Sequence, residues 1–139
     1  MTEKFFLKNE IQTKKLAKLL AQECFKKRNQ SLIFALQGKL GAGKTTFIQS
    51  LAKGLGIKNK ITSPTFVLMK KYNCLYHIDC YRINSYKDIL ELDFQEIISN
   101  PRNIIAIEWA EKIKKILPKN TIWLKFKILS EKEREITVL

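Results

Sequence analysis

The stretch Gly38-Lys39-Leu40-Gly41-Ala42-Gly43-Lys44-Thr45-Thr46 constrains this chain more than any other. An apolar run, Leu32 to Leu36, precedes it, and a helix-like segment, Phe47 to Leu55, follows. Strand, glycine-rich turn, Lys-Thr and helix is the context in which the pattern G-x-x-x-x-G-K-[ST] acts as a phosphate-binding loop. Gly38, Gly43, Lys44 and Thr45 satisfy that pattern. Glycines let the backbone turn and bring N–H groups close to an anion. The positive end of the following helix dipole faces the same spot. Lys44 adds a full charge within reach of β- and γ-phosphates. The Thr45 hydroxyl suits the oxygen shell of Mg²⁺, an ion that keeps several of its waters. The expected ligand is a nucleoside triphosphate with Mg²⁺.

With 139 residues, 45% of them hydrophobic, the chain is read as one nucleotide-binding domain, residues 1–139, with a single proper core. That is short for a phosphate-loop enzyme carrying an added lid or substrate domain. No apolar run approaches the ~18 to 20 residues that span a bilayer, and the N-terminus has no secretory h-region. The cysteines, Cys24, Cys74 and Cys80, are odd in number and form no C-x-x-C pair. Buried free thiols in a reducing compartment, the cytoplasm, are expected. The net charge is +13, from 22 lysines and 4 arginines set against 13 acids. A solvated lysine-rich surface is the preferred reading, ahead of attraction to RNA or to an acidic partner.

Local patterns predict an alternation of strands and helices. Lys4 to Leu7 reads as a short strand. Asn9 caps a helix with Gln12 three residues on, and Leu16, Leu19, Leu20 and Cys24 form its buried stripe. Ser31 to Gln37 is a buried strand. The helix after the phosphate loop stops at Gly54 or Gly56. Phe66 to Tyr72 and Leu75 to Asp79 form a hairpin about Asn73. Short helical turns lie within Asp88 to Ser99, and a buried strand spans Asn103 to Glu108. Ala110 to Leu117 is helical. Thr121 to Leu129 and Glu135 to Leu139 are paired strands. The alternation argues an α/β sheet covered on both sides, mixed because of its hairpins, with ligand at the carboxyl ends of the strands.

A phosphate-loop site needs an acid for the metal shell and often a second to position water. Glu108 and Asp79, each closing an apolar strand, are the candidates for catalysis and metal binding; a helix cap or surface charge is the alternative for both. Thr65, in Ser63-Pro64-Thr65, suits a loop that senses the γ-phosphate, or an ordinary proline turn. His77, the single histidine, reads as packed or hydrogen-bonded ahead of catalytic. Trp109 is either core or a rim aromatic. Arg82 is either phosphate- or partner-facing, or a surface cation. The guanine-specific N-K-x-D is missing, since Asn59-Lys60-Ile61-Thr62 lacks the acid, which favours ATP.

Leu40-Gly41-Ala42-Gly43-Lys44-Thr45-Thr46-Phe47, Ser63-Pro64-Thr65-Phe66, His77-Ile78-Asp79-Cys80-Tyr81-Arg82 and Glu108-Trp109-Ala110-Glu111, in this order and spacing, closely resemble the TsaE (YjeE) family from about residue 10 to the C-terminus. The resemblance implies a P-loop NTPase-like three-layer sandwich with a mixed, mainly parallel sheet and terminal β-hairpin strands. It implies a small cytoplasmic ATPase needed for threonylcarbamoyladenosine at position 37 of tRNAs that read codons beginning with A. Such a protein acts through a TsaD–TsaB complex, with contact to tRNA through that complex, and hydrolyses ATP with Mg²⁺ to support repeated turnover. Carried over, Gly41, Ala42, Gly43, Lys44, Thr45 and Thr46 hold the phosphates. Thr45 and Glu108 attend the metal, with Asp79 nearby. Thr65 belongs to a switch-like segment and Trp109 to the edge of the site. Thr13 and Arg134 match positions near the nucleotide. Lys39 departs from the family, which commonly has an acid there. The rival readings are a small-molecule kinase and a nucleotide-dependent binding module with negligible hydrolysis.

Overall fold

A computed structural model describes residues 2–64 and 67–139 of the chain. After strand β1 (Glu3–Leu7), helix α1 (Glu10–Lys27) starts at an extended Asn9. The Asn9 side chain accepts from Gln12 N at 3.0 Å, and Gln12 Oε1 accepts from Lys8 N at 2.7 Å. The first bond satisfies a backbone donor that the first helical turn leaves over, and the second ties down the residue ahead of the cap.

The buried face of α1 differs from the expected stripe. Thr13, Leu16, Ala17 and Ala21 point inward with half-buried Leu20 and Cys24, whereas Leu19 is 59% exposed. The reason is how close helix α2 (Lys44–Gly54) lies. A Cβ on Gly54 would stand 3.1 Å from both Ala21 Cβ and Lys18 Cα, so only small residues fit along the contact line.

The remaining elements are β2 (Leu32–Gln37), β3 (Met69–Tyr72), β4 (Leu75–Asp79), the short helices α3 (Lys87–Leu90) and α4 (Phe94–Ser99), β5 (Ile104–Glu108), a 3₁₀ segment (Ala110–Ile116), β6 (Ile122–Ile128) and β7 (Arg134–Val138). Strand β3 is shorter than expected: residues 67 and 68 form a bend, and 65 and 66 lie outside the described residues. The β3–β4 turn places Asn73 at φ 56°, a left-handed conformation that asparagine tolerates.

The seven strands among the described residues share one sheet, in the order β1-β7-β6-β2-β5-β4-β3. The four central strands, β6, β2, β5 and β4, run parallel; β1, β7 and β3 pair antiparallel at the edges. The parallel character is thus confined to the centre, where α/β crossovers demand it. Helices α1 and α2 cover one face: Phe47, Ile48 and Leu51 pack on Phe34, Leu36, Ile104 and Ala106. Helices α3 and α4 and the 3₁₀ segment cover the other, where Ile89, Phe94 and Ile113 meet Ile33, Ala35, Ile105 and Ile107. Two covered faces explain why β2 and β5 read as continuous apolar runs. Among the described residues, no helix is long and apolar enough to cross a membrane.

Candidate functional site

The phosphate loop leaves the carboxyl end of β2 and closes on the first turn of α2. Gly38 is required there by close approach: a Cβ would meet both Cβ and the carbonyl oxygen of Phe126 on β6 at 2.9 Å. Phe47, inside α2, packs edge-on against Phe126 with centroids 5.4 Å apart, which fixes the helix start against the sheet. Gly43 precedes α2 at φ 96° and offers no capping side chain, so first-turn N–H groups remain for an anion. Lys39 is exposed on the outer side of the loop, and its carbonyl accepts from Ala42 N at 3.2 Å.

Parallel register brings both strand-end acids to this loop. Glu108 stands opposite Leu36 on β2 and opposite Asp79 on β4. The Thr45 hydroxyl donates to Glu108 Oε1 at 3.2 Å and lies 3.4 Å from Oε2. On the other side, His77 Nε2 is 2.7 Å from Glu108 Oε2. Asp79 accepts from Tyr81 N at 3.0 Å and from Ser63 Oγ at 3.4 Å. The buried Lys44 ammonium donates to Gly38 O and lies 3.8 Å from the centroid of the Trp109 ring. Burial pushes the Lys44 pKa below its ordinary value, while the negative charges of Glu108, Glu111 and Asp79 pull the other way. Beside Asp79, burial and that carboxylate push the Cys80 thiol up to about 12. Cys80 is buried and Cys24 and Cys74 are half-buried, all three without a disulfide.

A hydroxyl, a carboxylate and loop N–H groups on one spot form a donor set that fits Mg²⁺ with phosphate. Among the described residues, no cluster of three or more His, Cys, Asp or Glu side chains forms a self-sufficient metal cage. Mg²⁺ suits such a sparse set, since it takes one or two protein ligands and draws the rest from phosphate and water.

Two clefts flank the loop. One, of about 440 Å³, runs between Thr13 on α1, Gly41, Ala42, Gly43 and Thr46 of the loop, and Arg134 of the β6–β7 hairpin. Thr13 is buried, with its hydroxyl 3.5 Å from Asn9 O, so it also packs within its own helix. The Arg134 guanidinium donates to Ser130 O and Glu133 O, each at 2.9 Å, and to Gly41 O at 3.2 Å. The second cleft, about 300 Å³, is lined by Ser63, Pro64, Leu68, Asp79, Tyr81 and Arg82. Trp109 lies between core and rim: half-buried, at φ 56°, its ring is 5.1 Å from Tyr81 and over Lys44. Thr65 lies outside the described residues.

The family model for threonylcarbamoyl adenosine biosynthesis protein TsaE matches residues 7–136 of this chain. The chain belongs to the TsaE family. A tRNA threonylcarbamoyladenosine biosynthesis protein TsaE of Rickettsia felis is 42% identical over 138 residues, 96% of this chain and 77% of the relative. The Bacillus subtilis TsaE is 39% identical, over 93% of this chain and 80% of that protein. The Aquifex aeolicus TsaE is 36% identical, over 99% and 96%. The crystal structure of Bacillus subtilis YdiB superposes with a TM-score of 0.77 at 34% identity, covering 99% of this chain and 84% of that one. The α/β phosphate-loop sandwich expected of a TsaE chain is therefore present.

Two groups at this TsaE site go beyond what sequence reasoning specified. His77 is buried and hydrogen-bonded, as expected, but the reading did not name Glu108 as its partner. Strand alternation puts His77 and Asp79 on one face of β4, and the small Ala106 opposite His77 leaves room for its ring; that pairing is visible only in the sheet. The other is Glu111, whose charge acts on Lys44 and whose Oε1 is buried without a hydrogen-bond partner among the described residues. Its place in Glu108-Trp109-Ala110-Glu111 was a signal, but nothing local tells it from a surface acid on a helical turn.

Proposed function

We propose that this chain is a Mg²⁺-dependent ATPase that serves threonylcarbamoyladenosine formation on tRNA, working in the cytoplasm through a TsaD–TsaB complex. The observation that carries the reading is the meeting of Thr45 Oγ1 with Glu108 Oε1, 3.2 Å apart, directly below the phosphate loop. Two groups 63 residues apart in sequence converge there at the start of α2, a pairing that supports a metal held beside the phosphates. The names of its relatives supply the pathway; the chemistry of the donor set supplies the reaction.

In this reading the loop N–H groups and Lys44 bind the β- and γ-phosphates. Thr45 and Glu108 hold the Mg²⁺, which when bound neutralises charge developing on the phosphates. Asp79, two residues on from His77 on the same strand face, orients the attacking water or a metal-bound water. Thr13 and Arg134 border the cleft that receives the nucleoside. Arg82, which lines the second cleft, and Trp109 face the partner. Cys24, Cys74 and Cys80, none of them in a disulfide, suit the reducing cytoplasm.

A small-molecule kinase is less well supported. A lid would bring arginines over the phosphates, whereas Arg28 and Arg102 stand together at the far end of the sheet, where Arg28 Nη1 donates to Arg102 O. Phosphate release without a phosphorylated second product separates ATPase from kinase. Glu108→Ala is expected to lower phosphate release by roughly 100-fold or more, on the scale of losing one positioned electrostatic group, while ATP still binds. A variant that hydrolyses ATP normally would leave only the nucleotide-dependent binding module. In cells depleted of the protein, nucleoside analysis of tRNA should show loss of threonylcarbamoyladenosine; unchanged levels would refute the assignment.

A further inference from the structure

We propose that His77 is a positioning residue for the metal-facing carboxylate of Glu108, an inference that rests on the Mg²⁺ site proposed above and deepens it. The His77 ring is fully buried, and it sits opposite Ala106, on the same face of β5 as Glu108. An ionised carboxylate only accepts hydrogen bonds, so in the 2.7 Å contact Nε2 carries the proton and donates to Oε2. With Oε2 so engaged, Oε1 is the oxygen nearer the Thr45 hydroxyl, 3.2 Å against 3.4 Å. A glutamate side chain has three rotatable bonds and can swing. Anchored to an imidazole locked in the core, Glu108 keeps one oxygen toward Thr45.

Packing alone does not account for the residue. His77 Nδ1 has no hydrogen-bond partner among the described residues, and a buried unpaired ring nitrogen is destabilising. An aliphatic side chain would fill the same space beside Ala106 without that penalty. The histidine is explained by what its other nitrogen does to Glu108. Groups that orient a metal-binding side chain change metal affinity by about 10- to 100-fold when lost.

The test uses the full chain with a non-hydrolysable ATP analogue, titrated calorimetrically with Mg²⁺ and again in EDTA. For His77→Leu, the Mg²⁺ concentration at half-maximal binding should rise about 10-fold, while affinity in EDTA stays at the wild-type value. His77→Gln, which restores an N–H donor, should return to within about threefold of wild type. A folded His77→Leu variant with wild-type Mg²⁺ dependence, or one weakened equally with and without Mg²⁺, overturns the proposal. Should the leucine variant not fold, the wild-type chain still decides. Its single histidine gives one imidazole in nitrogen-15 spectra, and adding Mg²⁺ to the analogue complex should shift the Nε2 signal; an unmoved signal overturns the proposal. If wild type binds the analogue equally with and without Mg²⁺, the metal site itself falls. If wild type responds to Mg²⁺ and His77→Leu responds identically, only the positioning role falls.

Discussion

Lys44 sits where three acidic side chains, an indole ring and the phosphate loop meet. Burial lowers its pKa from 10.5, and Glu108, Glu111 and Asp79 offset part of that effect. In the free chain Lys44 therefore loses its proton at a lower pH than an exposed lysine does. A bound triphosphate brings negative charge and draws the proton back. ATP affinity should accordingly fall as pH rises through the lowered value, and binding in that alkaline window should take up a proton. Calorimetry at alkaline pH in two buffers of different ionisation enthalpy measures the uptake, which Lys44→Met should abolish. Lys44→Ala at neutral pH should weaken ATP binding by about 1.5 to 3 kcal/mol, the range for a hydrogen bond to a charged group, or roughly 10- to 100-fold. Unchanged affinity would refute the site. Trp109 shows the other side of the residue scale. Its left-handed backbone is a conformation that costs of order 1 to 3 kcal/mol and gathers at functional sites. Motif spacing placed this tryptophan next to Glu108, but not over the lysine.

At the scale of elements, most of the architecture was legible because its signals are local. The Asn9–Gln12 cap, the apolar runs of β2 and β5 and the limits of β4 all follow from neighbours in sequence. The α1 stripe was misjudged at Leu19 because periodicity counts apolar residues without weighing their size. Helix α2 approaches so closely that alanines win the inner positions, and the larger leucine turns outward. Gly54→Val tests this: the new side chain would collide with Ala21 and the Lys18 backbone. It should cost about 1 to 3 kcal/mol, as overpacking does, measured by urea unfolding; a neutral change would show that the helices part freely. The segment after Trp109, read as helical, is a 3₁₀ helix with a non-helical Ile113. No propensity in Glu111 to Ile116 signals that tighter winding.

Across the whole molecule, β7 has the largest role that its sequence does not announce. It lies between β1 and β6, and among the described residues β1 pairs with no other strand. The hairpin that leads into β7 also carries Arg134 to the Gly41 carbonyl, linking the C-terminal segment to the phosphate loop. Removing residues 130–139 should abolish the cooperative thermal transition followed by circular dichroism, since β1 and β6 each lose a partner. Arg134→Ala should keep that transition and weaken ATP binding only. A truncated chain that melts cooperatively at the wild-type temperature would show that the edge strands contribute little.

The chain's local order was enough to determine the phosphate loop, the two acids at strand ends and the family, because each depends on spacing within a few residues or on motifs in series. The tertiary structure alone decided that His77 bonds to Glu108, that Asp79 and Glu108 stand in register on neighbouring strands, and that Arg134 donates to the Gly41 carbonyl. Those contacts join residues tens of positions apart and depend on strand order and register. Periods of 2 and 3.6 residues say which face a side chain takes, not which strand lies opposite.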